Sequence, residues 1–164
     1  MMFLDAIVRL YAYQRESNSH LLEVAGRVSP DDFTAVIIGG QPPIRDTLFH
    51  MIYVIEIHFL WWNYSADQIA PEAPDRQLAD YPDIESLSNY WISVDAQVAT
   101  CLESLESDEQ LDRSYQRAFE DGSSNTRRLW EMLLHVINHG TQHRSEVAMM
   151  LTKLSHSPGD MEIL

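Results

Sequence analysis

The stretch Leu134-His135-Val136-Ile137-Asn138-His139-Gly140-Thr141-Gln142-His143-Arg144-Ser145-Glu146 sets three histidines at strict four-residue spacing. In an α-helix, residues i and i+4 stand one above the other on one face, ~6 Å apart along the axis at ~1.5 Å rise per residue. Met132, His135, His139, His143, Glu146 and Met150 then share one stripe, with Leu133, Ile137 and Leu151 beside it. A polar row flanked by apolar residues suits a helix packed among other helices, provided each imidazole finds a hydrogen bond or a metal. Asn125 or Thr126 reads as the cap of this helix, which runs to about Ser155, ahead of Pro158-Gly159.

Working outward, the chain is dominated by the same periodicity. Leu4, Ile7, Val8, Tyr11, Ser19, Leu22 and Val24 form an imperfect helical stripe that fades before Ser29-Pro30-Asp31-Asp32, where Ser29 caps a short turn and Pro30 takes its first position. The cluster Gly39-Gly40-Gln41-Pro42-Pro43 is a loop, followed by a helix from about Ile44 to Tyr64. That helix carries Ile44, Leu48, Met51, Ile52, Ile55, Phe59 and Trp62 on one side. His50, Tyr53, Val54, Ile57 and Trp61 lie on the other. Two covered faces imply either a ligand-lined groove or a subunit interface, and a homodimer is expected on the second of these. A surface connection is expected from Ala66 to Tyr81, and Pro82-Asp83 opens a helix that carries Leu87, Tyr90, Trp91, Val94, Val98, Cys101, Leu102 and Leu105 to about Glu106. Between Asp108 and Ser124 the pattern breaks, with a turn at Asp121-Gly122 and at most a short extended piece. Four long helices predict an all-α, antiparallel four-helix bundle in one domain over residues 1–164.

Composition narrows the function. With 11 Lys+Arg against 25 Asp+Glu the formal charge is −14, which repels phosphate backbones and anionic membrane surfaces, so nucleic acid and membrane are not expected partners. No basic leader and no run of eighteen uncharged apolar residues is seen, and the single cysteine, Cys101, rules out an internal disulfide framework. A cytoplasmic protein with a buried, inert thiol is the expectation.

Two imidazoles one helical turn apart can close on one metal ion, and chemically active sites usually take a third protein ligand and keep one position open. His50 leads the remote candidates, with His58 and His20 behind it, and periodicity alone does not choose among them. Several known arrangements fail on the letters. Gly140 stands where an H-E-x-x-H peptidase needs its glutamate, and no Glu has a His three residues later as di-iron bundles require; spacing leaves a Ser-His-Asp triad open, although no G-x-S-x-G exists. Gly140 implies either a close helix crossing or space cleared beside a metal. Glu146, one turn beyond His143, reads as an acceptor for an imidazole N–H, or else as a partner of Arg144. Asn138 and Gln142 flank the ladder and could orient substrate or water, or face solvent.

The block Leu133 to Ala148, together with Ile44-Arg45-Asp46-Thr47-Leu48-Phe49-His50-Met51, Glu56 and Trp61-Trp62, resembles the DinB/YfiT-like family of metalloenzymes, damage-inducible proteins unrelated to the polymerase of that name. The resemblance spans nearly the whole chain. It implies an up-down-down-up four-helix bundle, often homodimeric, with a three-histidine site for a divalent transition metal (Zn, Ni, Fe or Mn). Carried over by position, the ligands are His50, His139 and His143, and His135 becomes a neighbour of the site. Ser145 and Glu146 depart from the Gly and Gln common in the family, which puts substrate preference in doubt. Relatives include thiol transferases and isomerases in which the metal deprotonates a low-molecular-weight thiol such as bacillithiol, mycothiol or glutathione for attack on an electrophile. That activity, with no protein nucleophile and a small-molecule substrate, is the leading expectation. A non-catalytic metal- or ligand-binding bundle in stress response, or a metal-dependent hydrolase, is the alternative.

Overall fold

The computed structural model describes residues 2–63, 72–118 and 124–161. Among these, five α-helices and one β-hairpin follow in the order α1 (Met2–Ala25), α2 (Pro30–Thr34), α3 (Ile44–Leu60), α4 (Ile84–Glu103), β1 (Ser114–Ala118), β2 (Ser124–Arg128) and α5 (Leu129–Lys153). Short 3₁₀ turns at Trp61–Asn63, Leu78–Asp80 and Asp108–Asp112 extend or join them. The expected turn at Asp121-Gly122 and the first part of the Ala66–Tyr81 connection, up to residue 71, lie outside the described residues.

Local chemistry accounts for the element ends. The Ser29 hydroxyl accepts from the Asp32 N–H at 3.1 Å, with Pro30 opening α2. Asp83 caps α4 by accepting from the Ser86 N–H at 2.8 Å. Each such cap satisfies an N–H that the helix cannot and is worth ~1 kcal/mol. One boundary differs from the sequence reading. Asn125 and Thr126 do not cap α5; they sit in β2, paired antiparallel with Arg117 and Gln116 of β1. The ladder claims their backbone groups, and α5 begins at Leu129, where the Arg128 N–H donates to the Glu131 carboxylate at 2.8 Å. The extended piece is therefore a hairpin, longer on the β2 side than the broken periodicity suggests.

The long helices meet in a closed set of contacts, α1 with α4 and α5, and α3 with α4 and α5. Along α1 and α5, the Tyr11 hydroxyl donates to the Leu133 carbonyl and Arg144 donates to Asn18. At α1 and α4 the Leu4 N–H donates to Asp108 just beyond α4, while a Cβ at Gly26 would lie 3.9 Å from Ile84 Cγ1. Ile7, Leu21, Ile52, Leu87, Trp91 and Leu133 fill the interior, each side chain worth ~1.5–3 kcal/mol when fully removed from water. Trp61 and Trp62 are buried within the chain, whereas Tyr53, Val54 and Ile57 are half-buried. On α1, Val8 and Ser19 face solvent, and Gln14, Ser17 and Asn18 are buried instead.

The connection before α4 is pinned by charge. Arg76 donates twice to the buried Glu56 of α3, at 3.1 and 2.6 Å, and the Tyr90 hydroxyl of α4 donates to the same carboxylate at 2.6 Å. Burial, then the Glu56 hydrogen bond, push the Tyr90 phenol well above its usual range. No helix among the described residues is long and apolar enough to cross a membrane.

Candidate metal centre

His50 projects from α3 toward α5, which carries His139 and His143 one turn apart. Their ligand atoms all lie within 4.8 Å of one another. His139 Nε2 is 3.1 Å from His50 Nε2 and 3.1 Å from His143 Nε2. Two nitrogens each ~2.1 Å from one ion are separated by about 3.0 Å at a right angle and about 3.4 Å at the tetrahedral angle. The two separations to His139 fall between these values and the third pair lies within 4.8 Å, so the three residues could hold a transition metal. Each Nε2 carries either one proton or one lone pair, and a single proton on His139 cannot bridge both neighbours in line. A cation facing three lone pairs satisfies all of them together.

The surroundings set the protonation that such a site requires. His143 Nδ1 lies 2.6 Å from Glu146 Oε2, so its Nδ1–H donates to the carboxylate, which in the neutral ring leaves the Nε2 lone pair toward the cluster. His50 is exposed, yet the partial desolvation of its ring lowers it below its ordinary value, with His143 adding to the effect and Glu146 opposing it. Burial, then the neighbouring His143, His50, His135 and His58, push His139 down to about 4. Both are therefore neutral at neutral pH, the form that ligates metal. Burial works against the Glu146 carboxylate, but hydrogen bonds from Gln142 and His143 outweigh it and hold the group below the usual range.

The remaining candidates fall into distinct places. Gln142 donates to Glu146 at 3.1 Å and so steadies the residue that orients His143. Glu146 pairs with His143 and not with Arg144. His135 is exposed one turn below His139, with ring centroids 6.0 Å apart, and sits 5.2 Å from the ring of His58. His58 Nδ1 donates to the Val54 carbonyl at 2.7 Å, so it belongs to this second pair and not to the cluster. His58 and His135 wall a cavity of ≈ 250 Å³ bounded also by Trp61, Tyr115 and the hairpin residues Asn125 and Arg127. His20 is remote, donating to the Pro158 carbonyl at 2.8 Å. Asn138 is exposed. Cys101 is half-buried, and burial pushes its thiol up, away from the thiolate form.

Gly140 resolves to the close-crossing explanation. A Cβ there would come within 2.7 Å of Gln14 Oε1 and 3.0 Å of Arg144 Nη1, both on the side of α1. The sequence reading missed this buried polar layer. Its signal was Gln14 and Asn18, polar residues one turn apart at core positions of the first helix.

Helical architecture with a three-histidine cluster able to hold a divalent ion defines a class of metal-binding helical proteins. The DinB family model matches residues 2–164, and the chain belongs to the DinB family. Among solved structures, it is similar to the crystal structure of a conserved protein from Enterococcus faecalis, with a TM-score of 0.62 and 10% identity over 89% of this chain and 95% of that one. At that identity the likeness shows the fold alone. No curated protein matches the chain.

Proposed function

We propose that the chain is a divalent-metal-dependent enzyme in which His50, His139 and His143 are the ligands and a low-molecular-weight thiol is activated for transfer to an electrophile. The observation that carries this reading is the convergence of His50 and His143 on His139, each with Nε2 at 3.1 Å from its Nε2 and all ligand atoms within 4.8 Å, with Glu146 orienting one of the rings. A bound divalent ion would supply Lewis acidity, lowering the pKa of a thiol or water at an open position. The chain's own residues do the rest. Glu146 and Gln142 hold His143 in orientation, and neutral His50 and His139 leave the ion its charge. The cavity beyond His135, one helical turn from His139, offers room for an organic substrate, with Asn125 and Arg127 in its wall to orient a polar group. Cys101 takes no part.

The same reading places the cluster in an up-down-down-up antiparallel four-helix bundle. In its support, residue numbers rise together along α1 and α5, at Tyr11 with Leu133 and Asn18 with Arg144. They run oppositely along α3 and α5, at His50 with His143 and His58 with His135, and along α1 and α4, at Leu4 with Asp108 and Gly26 with Ile84. A homodimer is part of the proposal. It rests on the half-buried stripe of Tyr53, Val54 and Ile57, since Trp61 and Trp62 are covered within the chain.

The test is addition of bacillithiol, mycothiol, glutathione or cysteine to a chlorinated aromatic and a maleyl compound. The expected result is turnover that chelation abolishes and that Cys101→Ser leaves unchanged. Rates at the chelated background for every pair, or loss of activity in Cys101→Ser alone, would refute the thiol reading and leave a binding module or a metal-dependent hydrolase.

A further inference from the structure

Arg144 follows His143 in α5 but turns away from the histidines, against α1. Only 2% of the residue is exposed. Its Nη1 donates to Asn18 Oδ1 at 3.2 Å, its Nη2 donates to Thr141 Oγ1 at 2.9 Å, and the guanidinium carbon lies 5.6 Å from the centre of the Tyr13 ring. A guanidinium carries five N–H donors and a permanent charge. Two donors are used here, both on neutral oxygens, and no carboxylate among the described residues forms an ion pair with the group. The Gln14 carbonyl oxygen nearby is buried without a hydrogen bond, so it does not use the remaining donors either. Burying a charge without a counter-charge is among the most costly arrangements in a protein interior. Burial accordingly lowers Arg144 from its ordinary value, with only Tyr13 acting in the opposite direction.

Beside this group lies a cavity of ≈ 370 Å³. Its walls are Tyr13, Thr141, Arg144 and Ser145 on the helices and residues 159–161 of the segment after α5. That segment is tied down at two points, by the Tyr13 hydroxyl donating to the Met161 carbonyl at 2.8 Å and by the His20 ring donating to the Pro158 carbonyl at 2.8 Å. A buried cation with unused donors therefore borders a cavity that opens to solvent past the exposed Thr141 and Ser145 and is large enough for a small molecule.

We propose that this cavity binds a small oxyanion, a carboxylate or phosphate group, anchored on the Arg144 guanidinium. The planar fork of Arg matches two oxygens of either group, and Tyr13 and Thr141 hold its plane in place. Asp160 also lines the cavity and is exposed, and its negative charge opposes an anion there. The site is distinct from the histidine cluster, which faces α3.

The experiment is titration of the full chain with inorganic phosphate, and separately with acetate, against chloride at matched ionic strength. Binding is followed by calorimetry, on the protein as purified and after chelation. Saturable binding of one anion per chain is expected, unchanged by chelation, abolished in Arg144→Gln and strengthened several-fold in Asp160→Asn. Which of the two anions binds identifies the group. Ser145→Glu, which supplies a carboxylate from the exposed cavity wall, should abolish binding while the fold persists, and it carries the test if Arg144→Gln does not fold. Failure of both anions to bind beyond chloride overturns the proposal. So does binding that survives both the Arg144→Gln and the Ser145→Glu substitutions, or that disappears on chelation.

Discussion

Removing the Glu146 carboxylate should weaken metal binding without disturbing the fold. The 2.6 Å contact from His143 Nδ1 fixes the tautomer whose Nε2 lone pair faces the cluster. In Glu146→Ala the ring can turn and the Nε2–H tautomer is populated, so binding must first restore the productive form. Partners of this kind typically contribute 10–100-fold in metal affinity, or ~1.4–2.7 kcal/mol at ~1.36 kcal/mol per decade. Glu146→Gln keeps an acceptor oxygen but loses the charge, and should fall between wild type and Glu146→Ala. Gln142→Ala, which removes only the support at the other carboxylate oxygen, should cost less than either. Competition with a chromophoric chelator at fixed pH measures these affinities, with far-ultraviolet circular dichroism to confirm that helicity is unchanged. An affinity for Glu146→Ala within about twofold of wild type would refute the orienting role.

Two further expectations concern stability. Burial raises Asp95 from 3.8 to about 6, with Arg15 acting against it. Well below pH 3.8 the carboxyl is neutral in folded and unfolded chains alike; as pH rises from 3.8 to about 6 the unfolded chain releases the proton first, so stability is lost across that window and the loss is complete above it. Asp95→Asn should therefore be no more stable than wild type near pH 4 and more stable by ~1–2 kcal/mol above pH 7, once partial exposure is discounted. Urea denaturation across this range that shows a constant difference would contradict it. Arg76→Ala leaves Glu56 buried with Tyr90 as its remaining partner, and because Arg76 is itself partly exposed the loss should be ~2 kcal/mol, below the full cost of breaking a buried pair. A loss under ~0.5 kcal/mol by the same assay would show that the pair is solvated.

Much of this molecule was legible in its sequence because helical periodicity is a local property. The four-residue histidine spacing, the Ser29-Pro30 start of α2 and the Asp83 start of α4 each depend on residues within one or two turns, and each has its expected place. What depends on distant partners was not legible from pattern. The choice of His50 over His58 turns on how α3 lies against α5, and it came from the family resemblance alone. Asn125 and Thr126 look like caps until a second strand claims their backbone. The burial of Gln14, Asn18 and Arg144 follows from the close approach of α1 to α5 at Gly140, which no single helix reveals.

The central claim is that His50, His139 and His143 hold one metal ion, and the most direct test is elemental analysis of untagged protein beside its His139→Ala and His143→Ala variants. About one divalent transition metal per chain is expected in the parent, as three imidazoles with one open position would hold, and none in either variant, with helicity retained. Stoichiometric metal kept by both variants, or a folded parent that binds none when transition metals are supplied, would contradict the assignment.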